Sequence, residues 1–179
     1  MHDIFILLFS NKDTIYIVQT EWMKESLCSN SSVLSSNVHV IRPSISLPSF
    51  EATADETDNN NAKKILLYPA TPLIYKNHLV ILESLRLLKI QGLIENLVLQ
   101  VTFKKYEYPR FKNLVDKYGL ENHVDYLGVI SYPELMRKYR NADIILFPSY
   151  VETFGLPLAE GASFRKPILC SDLPFSHDV

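Results

Sequence analysis

From Ile65 onward, short apolar runs alternate with amphipathic segments, and this order constrains the fold more than any other feature of the chain. Ile65–Tyr68, Leu97–Phe103, Val124–Leu127, Asp143–Phe147 and Pro167–Cys170 read as strands, apolar on successive positions as buried parallel strands are. Helices fill the gaps. Asn77–Lys89 puts Ile81, Leu82, Leu85 and Leu88 on one face, with Gly92 beyond it as a stop signal. Pro109–Tyr118 repeats Phe111, Leu114, Val115 and Tyr118 at helical spacing, and Gly119 suits its C′ position. Ser131 and Glu134 have the spacing of a capping box, which opens a helix through Arg140. A further helix spans Pro157 to Phe164. Strict alternation predicts an α/β fold: a Rossmann-like parallel sheet with helices on both faces, joined by right-handed crossovers. Ligands of such sheets bind beyond the carboxyl ends of the strands. The loops Pro69–Asn77, Phe103–Arg110, Gly128–Ser131 and Pro148–Leu156 therefore carry the candidate chemistry.

Upstream the pattern is thinner. Met1–Phe9 reads equally as the end of a helix or of a strand. Ile15–Val18 is a strand, Glu21–Cys28 a helix and Val38–Ile41 a strand that stops at Arg42-Pro43. Two strands and one helix do not make a stable sheet alone. The stretch from Ser49 to Lys63 is acidic and Asn-rich and has almost no large apolar residue after Phe50, so it reads as a polar linker. The expected division is 1–48 as the remnant of a preceding domain, 49–63 as linker and 64–179 as the main domain, cut short at Val179.

Composition removes several functions. There are 18 basic and 20 acidic residues, a formal net charge of -2, so no basic footprint for nucleic acid or for an anionic membrane exists. Lys104-Lys105 beside Tyr106 and Tyr108 reads as a solvated loop rather than a stacking platform. The 5 glycines stand singly, at Gly92, Gly119, Gly128, Gly155 and Gly161, so no glycine-rich phosphate loop is present. Cys28 and Cys170 are far apart and lack a ligand pattern, and the histidines lack metal-site spacing. No apolar run approaches the ~20 residues of a membrane span. Met1-His2-Asp3 lacks the basic start of a signal peptide, and the expected location is cytoplasmic.

The segment from Phe147 to Glu160, FPSYVETFGLPLAE, runs from a buried strand into a helix. Pro157 suits a first helical turn, and Gly155 permits a tight turn ahead of it. The N–H groups of Gly155, Leu156 and Leu158 then lie at a positive helix end, which holds anions such as phosphate. Glu152 sits in the loop and Glu160 on the helix eight positions later. Alone, each glutamate has an ordinary structural reading, a solvated loop side chain or a carboxylate suiting the helix dipole. Together, two carboxylates for hydroxyls and a helix end for phosphate describe a sugar nucleotide.

The string E-T-F-G-L-P-L-A-E resembles the E-x7-E motif of retaining glycosyltransferases of glycosyltransferase family 4, which have the GT-B fold. N-A-D-I-I-L-F-P-S before it and K-P-I-L-C-S-D-L-P after it follow that family's wording. L-Y-P-A-T-P-L-I-Y-K-N-H at 67–78 resembles its first strand-to-helix loop, and Val18 to Pro43 the end of its N-terminal domain. The resemblance implies an acceptor-side N-terminal domain, of which 1–48 is a remnant, and a donor domain at 64–179. Glu160 would bind the donor ribose, and Glu152 the sugar near the reacting centre. The backbone of Phe154, Gly155 and Leu156 would meet sugar and diphosphate. Lys76 would neutralise the diphosphate as the leaving group departs. Val129 falls where the family places the nucleobase, and Ser149 lines the same set of loops. Thr71 occupies the position where the family often has an Arg, so the second cation on the diphosphate is missing. His78, read as a helix-surface residue, and Arg165-Lys166 at the far end of a helix do not replace it.

The resemblance further implies no metal and no cofactor besides the donor. It implies a glycan or lipid-linked glycan acceptor, polysaccharide biosynthesis as the setting, and peripheral membrane association through the absent N-terminal part. The competing readings are a non-catalytic nucleotide-sugar or partner-binding module and a plain flavodoxin-like interaction domain.

Overall fold

The structure is a computed structural model and describes residues 13–45 and 63–179. The expected element at Met1–Phe9 and all of the polar stretch except Lys63 lie outside those residues. The chain forms two compact units, and their bounds are not a simple cut at the polar stretch.

One unit gathers Met1–Ile45 with two later pieces, Val151–Leu156 and Asp172–Val179. It contains β1 (Tyr16–Val18), α1 (Glu21–Asn30) and β2 (Val38–Val40). β1 and β2 pair in parallel, Tyr16 opposite Val38 and Val18 opposite Val40. Thr20 caps α1 by accepting from the Met23 N–H, and its hydroxyl also donates to the Thr153 carbonyl at 3.2 Å. Asp178 accepts from the Trp22 N–H at 2.7 Å, and the Trp22 ring meets Phe175 edge-on at 6.4 Å. A short α-helix at Pro174–His177, unanticipated from the sequence, carries Phe175. The two strands and helix, unable to close a core alone, are completed by chain from much later in the sequence.

The other unit, Ser46–Tyr150 with Pro157–Ser171, contains the alternating elements. They are β3 (Lys64–Tyr68), α2 (His78–Ile90), β4 (Leu97–Val101), α3 (Pro109–Tyr118), β5 (Val124–Tyr126), α4 (Tyr132–Asn141), β6 (Ile144–Phe147), α5 (Leu156–Ser163) and β7 (Ile168–Cys170), with α6 then naming the helix at Pro174–His177. The sheet order is β5-β4-β3-β6-β7, with every neighbouring pair parallel. Asp143 sets the start of β6 against β3. Its carboxylate accepts from the Ile65 N–H at 2.8 Å and from Lys64 at 3.1 Å, while its own N–H donates to the Ile65 carbonyl.

Successive strand residues face opposite ways, which explains the unbroken apolar runs. Leu67 and Ile145 turn toward α4, where Met136, Tyr139 and Ala142 bury them. Leu66, Ile144 and Leu146 turn to the other face and line a groove of about 460 Å³ with Ile81 and Leu85 of α2. Tyr139 closes the first face by stacking on Phe164, with ring planes 4° apart. On the α2–α3 face, Phe103, Tyr108, Phe111 and Tyr126 form an aromatic cluster. The expected strand at Leu97–Phe103 stops at Val101 because Phe103 turns into that cluster.

His78 is also in the cluster, 0 % exposed, where the sequence reading placed it on the helix surface. The correction has a simple cause. Positions 78, 81, 82 and 85 share one helical face, so His78 continues the buried stripe back to the first residue of α2.

The capping box at Ser131 forms as read. The Glu134 carboxylate accepts from both the N–H and the hydroxyl of Ser131. Gly161 lets α5 approach the sheet, since a Cβ there would lie 3.1 Å from Ile145 and 3.2 Å from Ile168. Gly161→Val should overpack this contact and lower stability by about 1–3 kcal/mol. Urea unfolding should show a lower midpoint at unchanged m-value, and an unaltered midpoint would contradict the close approach.

Candidate functional site

The sheet reverses its winding between β3 and β6. β3, β4 and β5 step in one direction, and the chain then returns to place β6 on the other side of β3. The crevice beyond the carboxyl ends of two such strands is where open α/β sheets bind ligands. The loop after β3 carries Lys76, and Ser149 lies in the segment after β6.

Lys76 ends a short 3-10 turn, Ile74–Lys76, and the next residue, Asn77, has φ 55, in the left-handed region. The side chain is half-buried, with its ammonium 5.4 Å from the centre of the Tyr75 ring and 6.0 Å from that of Phe147. Aromatic faces attract a cation through the negative charge of the ring centre. Thr71 is exposed at the start of the same loop, where its carbonyl accepts from the Leu73 N–H. Ser149 is 0 % exposed and its hydroxyl lies 3.1 Å from that of Tyr68.

Glu160 is a buried carboxylate on α5, 7 % exposed. Burial raises its pKa above the usual carboxylate range, and the Tyr139 hydroxyl partly opposes this. The Tyr139 hydroxyl is itself buried and makes no hydrogen bond of good geometry, although burial and then the Glu160 charge hold its pKa up. The phenol of Tyr132, first residue of α4, is raised by burial and then by the same carboxylate. A carboxylate left this dry is favoured by hydroxyl donors from a ligand. Sequence reasoning missed both tyrosines. Only the return of α4 beside α5 brings them to Glu160. Val129 follows Gly128, which has φ +69, and is 82 % exposed in the loop after β5.

Glu152, Phe154, Gly155 and Leu156 belong to the other compact unit. Glu152 is half-buried, Phe154 is 6 % exposed, and Gly155 has φ +94, which favours glycine. Thr20 anchors the segment through the Thr153 carbonyl. α5 begins directly afterwards, with Pro157 as its second residue, so its first-turn N–H groups have no intrahelical partners.

The family model of glycosyl transferases group 1 matches residues 49–179. The chain belongs to this family. Among curated relatives, O-antigen chain mannosyltransferase B of Escherichia coli is 28% identical over 107 residues, covering 60% of this chain and 28% of the relative. D-inositol 3-phosphate glycosyltransferase of Mycobacterium sp. (strain KMS) is 36% identical over 58 residues, which are 32% of this chain and 13% of the relative. The chain thus matches less than a third of the length of these relatives. Among solved structures, HepE of Anabaena in complex with UDP and glucose gives a TM-score of 0.75 at 14% identity, over 92% of this chain and 46% of that one. WaaG, a glycosyltransferase involved in lipopolysaccharide biosynthesis, gives 0.70 at 20% identity, over 90% and 45%. These are GT-B glycosyltransferases, and the fold shared with this group 1 chain is the helix-flanked parallel sheet.

His78, buried two positions after Lys76, generates a pH prediction. Burial lowers its pKa from 6.5 to about 4, the Ala70 backbone opposing and the Lys76 charge assisting, and neither ring nitrogen makes a hydrogen bond of good geometry. Between those values the unfolded chain binds a proton that the folded chain refuses. Its stabilising contribution is therefore complete above pH 6.5 and lost as pH falls toward 4, by up to about 3 kcal/mol. His78→Leu should flatten the dependence of unfolding free energy on pH across that window, and an unchanged slope would assign it to other groups.

Proposed function

We propose that this chain is the donor-binding part of a retaining glycosyltransferase that uses a nucleotide-diphosphate sugar and requires no metal ion. The observation that carries this reading is Lys76, a cation held at the crevice where the sheet reverses, in a chain of the glycosyl transferases group 1 family. Lys76 would meet the diphosphate and offset the charge that develops as the sugar–phosphate bond breaks. Glu160, dry and raised in pKa, would accept from the ribose hydroxyls. Val129, exposed after β5, would flank the base. Gly155, Leu156 and the start of α5 would supply N–H donors to phosphate. Glu152 would contact the sugar beside the reacting carbon. Thr71 carries no charge, so Lys76 would be the cation that this loop offers the diphosphate.

A relative named as a mannosyltransferase supports a hexose donor. A fold neighbour holding UDP and glucose supports a nucleotide-sugar donor. A glycan or lipid-linked glycan acceptor, polysaccharide assembly and a cytoplasmic location at the membrane face complete the proposal. No described helix is long and apolar enough to cross a membrane.

Calorimetric titration with UDP, GDP and ADP tests the donor site, and absence of binding by all three would refute it. Glu160→Ala should weaken the best of them roughly 10- to 100-fold, the loss of hydrogen bonds to a charged acceptor. Glu152→Ala should keep nucleotide affinity and lose donor hydrolysis. Wild-type chain that binds donor without hydrolysing it would instead be a non-catalytic binding module.

A further inference from the structure

The residues that meet Lys76 from below have no part in the proposed chemistry, yet they form one connected hydrogen-bond network. Tyr68, the last residue of β3, is 0 % exposed. A buried phenol requires a partner, and this one donates to the backbone carbonyl of Lys76 at 2.5 Å. A phenol has a single proton, so the 3.1 Å contact with Ser149 runs the other way, the Ser149 hydroxyl donating to the Tyr68 oxygen. Ser149 is also 0 % exposed, which makes it a support beneath the loop rather than a group open to ligand. On either side, the Asn77 amide donates to the Pro148 carbonyl at 3.1 Å, and the Tyr150 N–H donates to the Tyr75 carbonyl at 2.8 Å. Residues 75, 76 and 77 are thus each tied to the segment after β6 or to Tyr68, and the Tyr68–Ser149 contact beneath them is buried. Asn77 helps in a second way. Its φ of 55 would strain most residues, and Asn tolerates that region.

We propose that Tyr68, Ser149 and Asn77 are positioning residues that lock the loop after β3 onto the carboxyl end of β6 and so fix the ammonium of Lys76 for a diphosphate. This rests on the donor-site reading for its ligand, but the ordering of the loop does not. A lysine on a free loop would have to be ordered on binding, and that cost would fall on affinity. Here the ordering is done in the fold.

The experiment compares wild type, Tyr68→Phe, Ser149→Ala, Asn77→Gly and Lys76→Ala by two measurements. The first is amide hydrogen exchange in the free protein. Tyr68→Phe should lower protection at the Lys76 and Tyr150 amides and leave β4 and β5 unchanged. The second is affinity for UDP, GDP and ADP, each against its monophosphate. The preference for diphosphate should fall roughly tenfold in Tyr68→Phe, about the worth of one buried hydrogen bond. Tyr68→Phe added to Lys76→Ala should cost no further preference, since the lysine it positions is gone. A purely structural role would lower thermal stability and leave the diphosphate-to-monophosphate ratio alone.

Unchanged exchange at Lys76 and Tyr150 overturns the proposal. So does a diphosphate preference lost in Lys76→Ala but intact in Tyr68→Phe. A wild-type chain without diphosphate preference refutes the donor-site reading, and the exchange data then still decide whether the network orders the loop. If Tyr68→Phe does not fold, Ser149→Ala and Asn77→Gly carry the same comparison. Asn77→Gly keeps the left-handed backbone and removes only the side-chain bond.

Discussion

The Tyr68 hydroxyl is the contact on which the crevice beyond β3 and β6 depends. It sits at the end of a central strand, wholly buried, and joins the loop after β3 to the segment after β6. Those two segments flank the point where the sheet reverses its winding. The Asn77–Pro148 and Tyr150–Tyr75 bonds cross the same point. Tyr75, Lys76 and Asn77 are thus each held by a backbone or side-chain bond, and the ammonium of Lys76 lies over the rings of Tyr75 and Phe147. Site geometry is thereby coupled to core packing, since Tyr68 also packs on His78 at 4.6 Å.

Electrostatics divides the site into unlike halves. The ammonium of Lys76 lies over the rings of Tyr75 and Phe147, whose faces attract a cation. Glu160 keeps its carboxylate where burial disfavours the charge, beside the hydroxyl of Tyr139 and the phenol of Tyr132. A buried carboxylate and a cation beside aromatic faces, both near the carboxyl side of the sheet, are the kind of perturbed groups that mark functional sites.

Much of this was legible in the sequence because the signals are local. β3, α3 and β6 follow from apolar runs, from spacing and from Pro109 and Gly119 at the ends of α3. The Ser131–Glu134 box forms as its spacing requires. Lys76 and Glu160 stand out by position after a strand and on the following helix. His78 was misread because a lone polar residue at a helix start resembles a surface group, although its spacing to Ile81, Leu82 and Leu85 held the answer. Ser149 was legible as part of the loop, but nothing local says that its hydroxyl turns inward to Tyr68. The grouping of Val151–Leu156 and Asp172–Val179 with the N-terminal elements was also invisible, because it rests on Thr20 and Trp22 bonding residues more than 130 positions away.

The sequence by itself determined the order of strands and helices, the parallel sheet and the identity of the charged groups. Periodicity, capping and turn chemistry act over a few residues and need no tertiary partner to be read. The tertiary structure alone decided which loops touch and which polar groups are dry. It tied Lys76 to the end of β6, set Tyr132 and Tyr139 against Glu160, and enclosed His78 in aromatic rings. Burial and long-range hydrogen bonding depend on where the chain returns, and that is a property of the packed sheet rather than of any stretch within it.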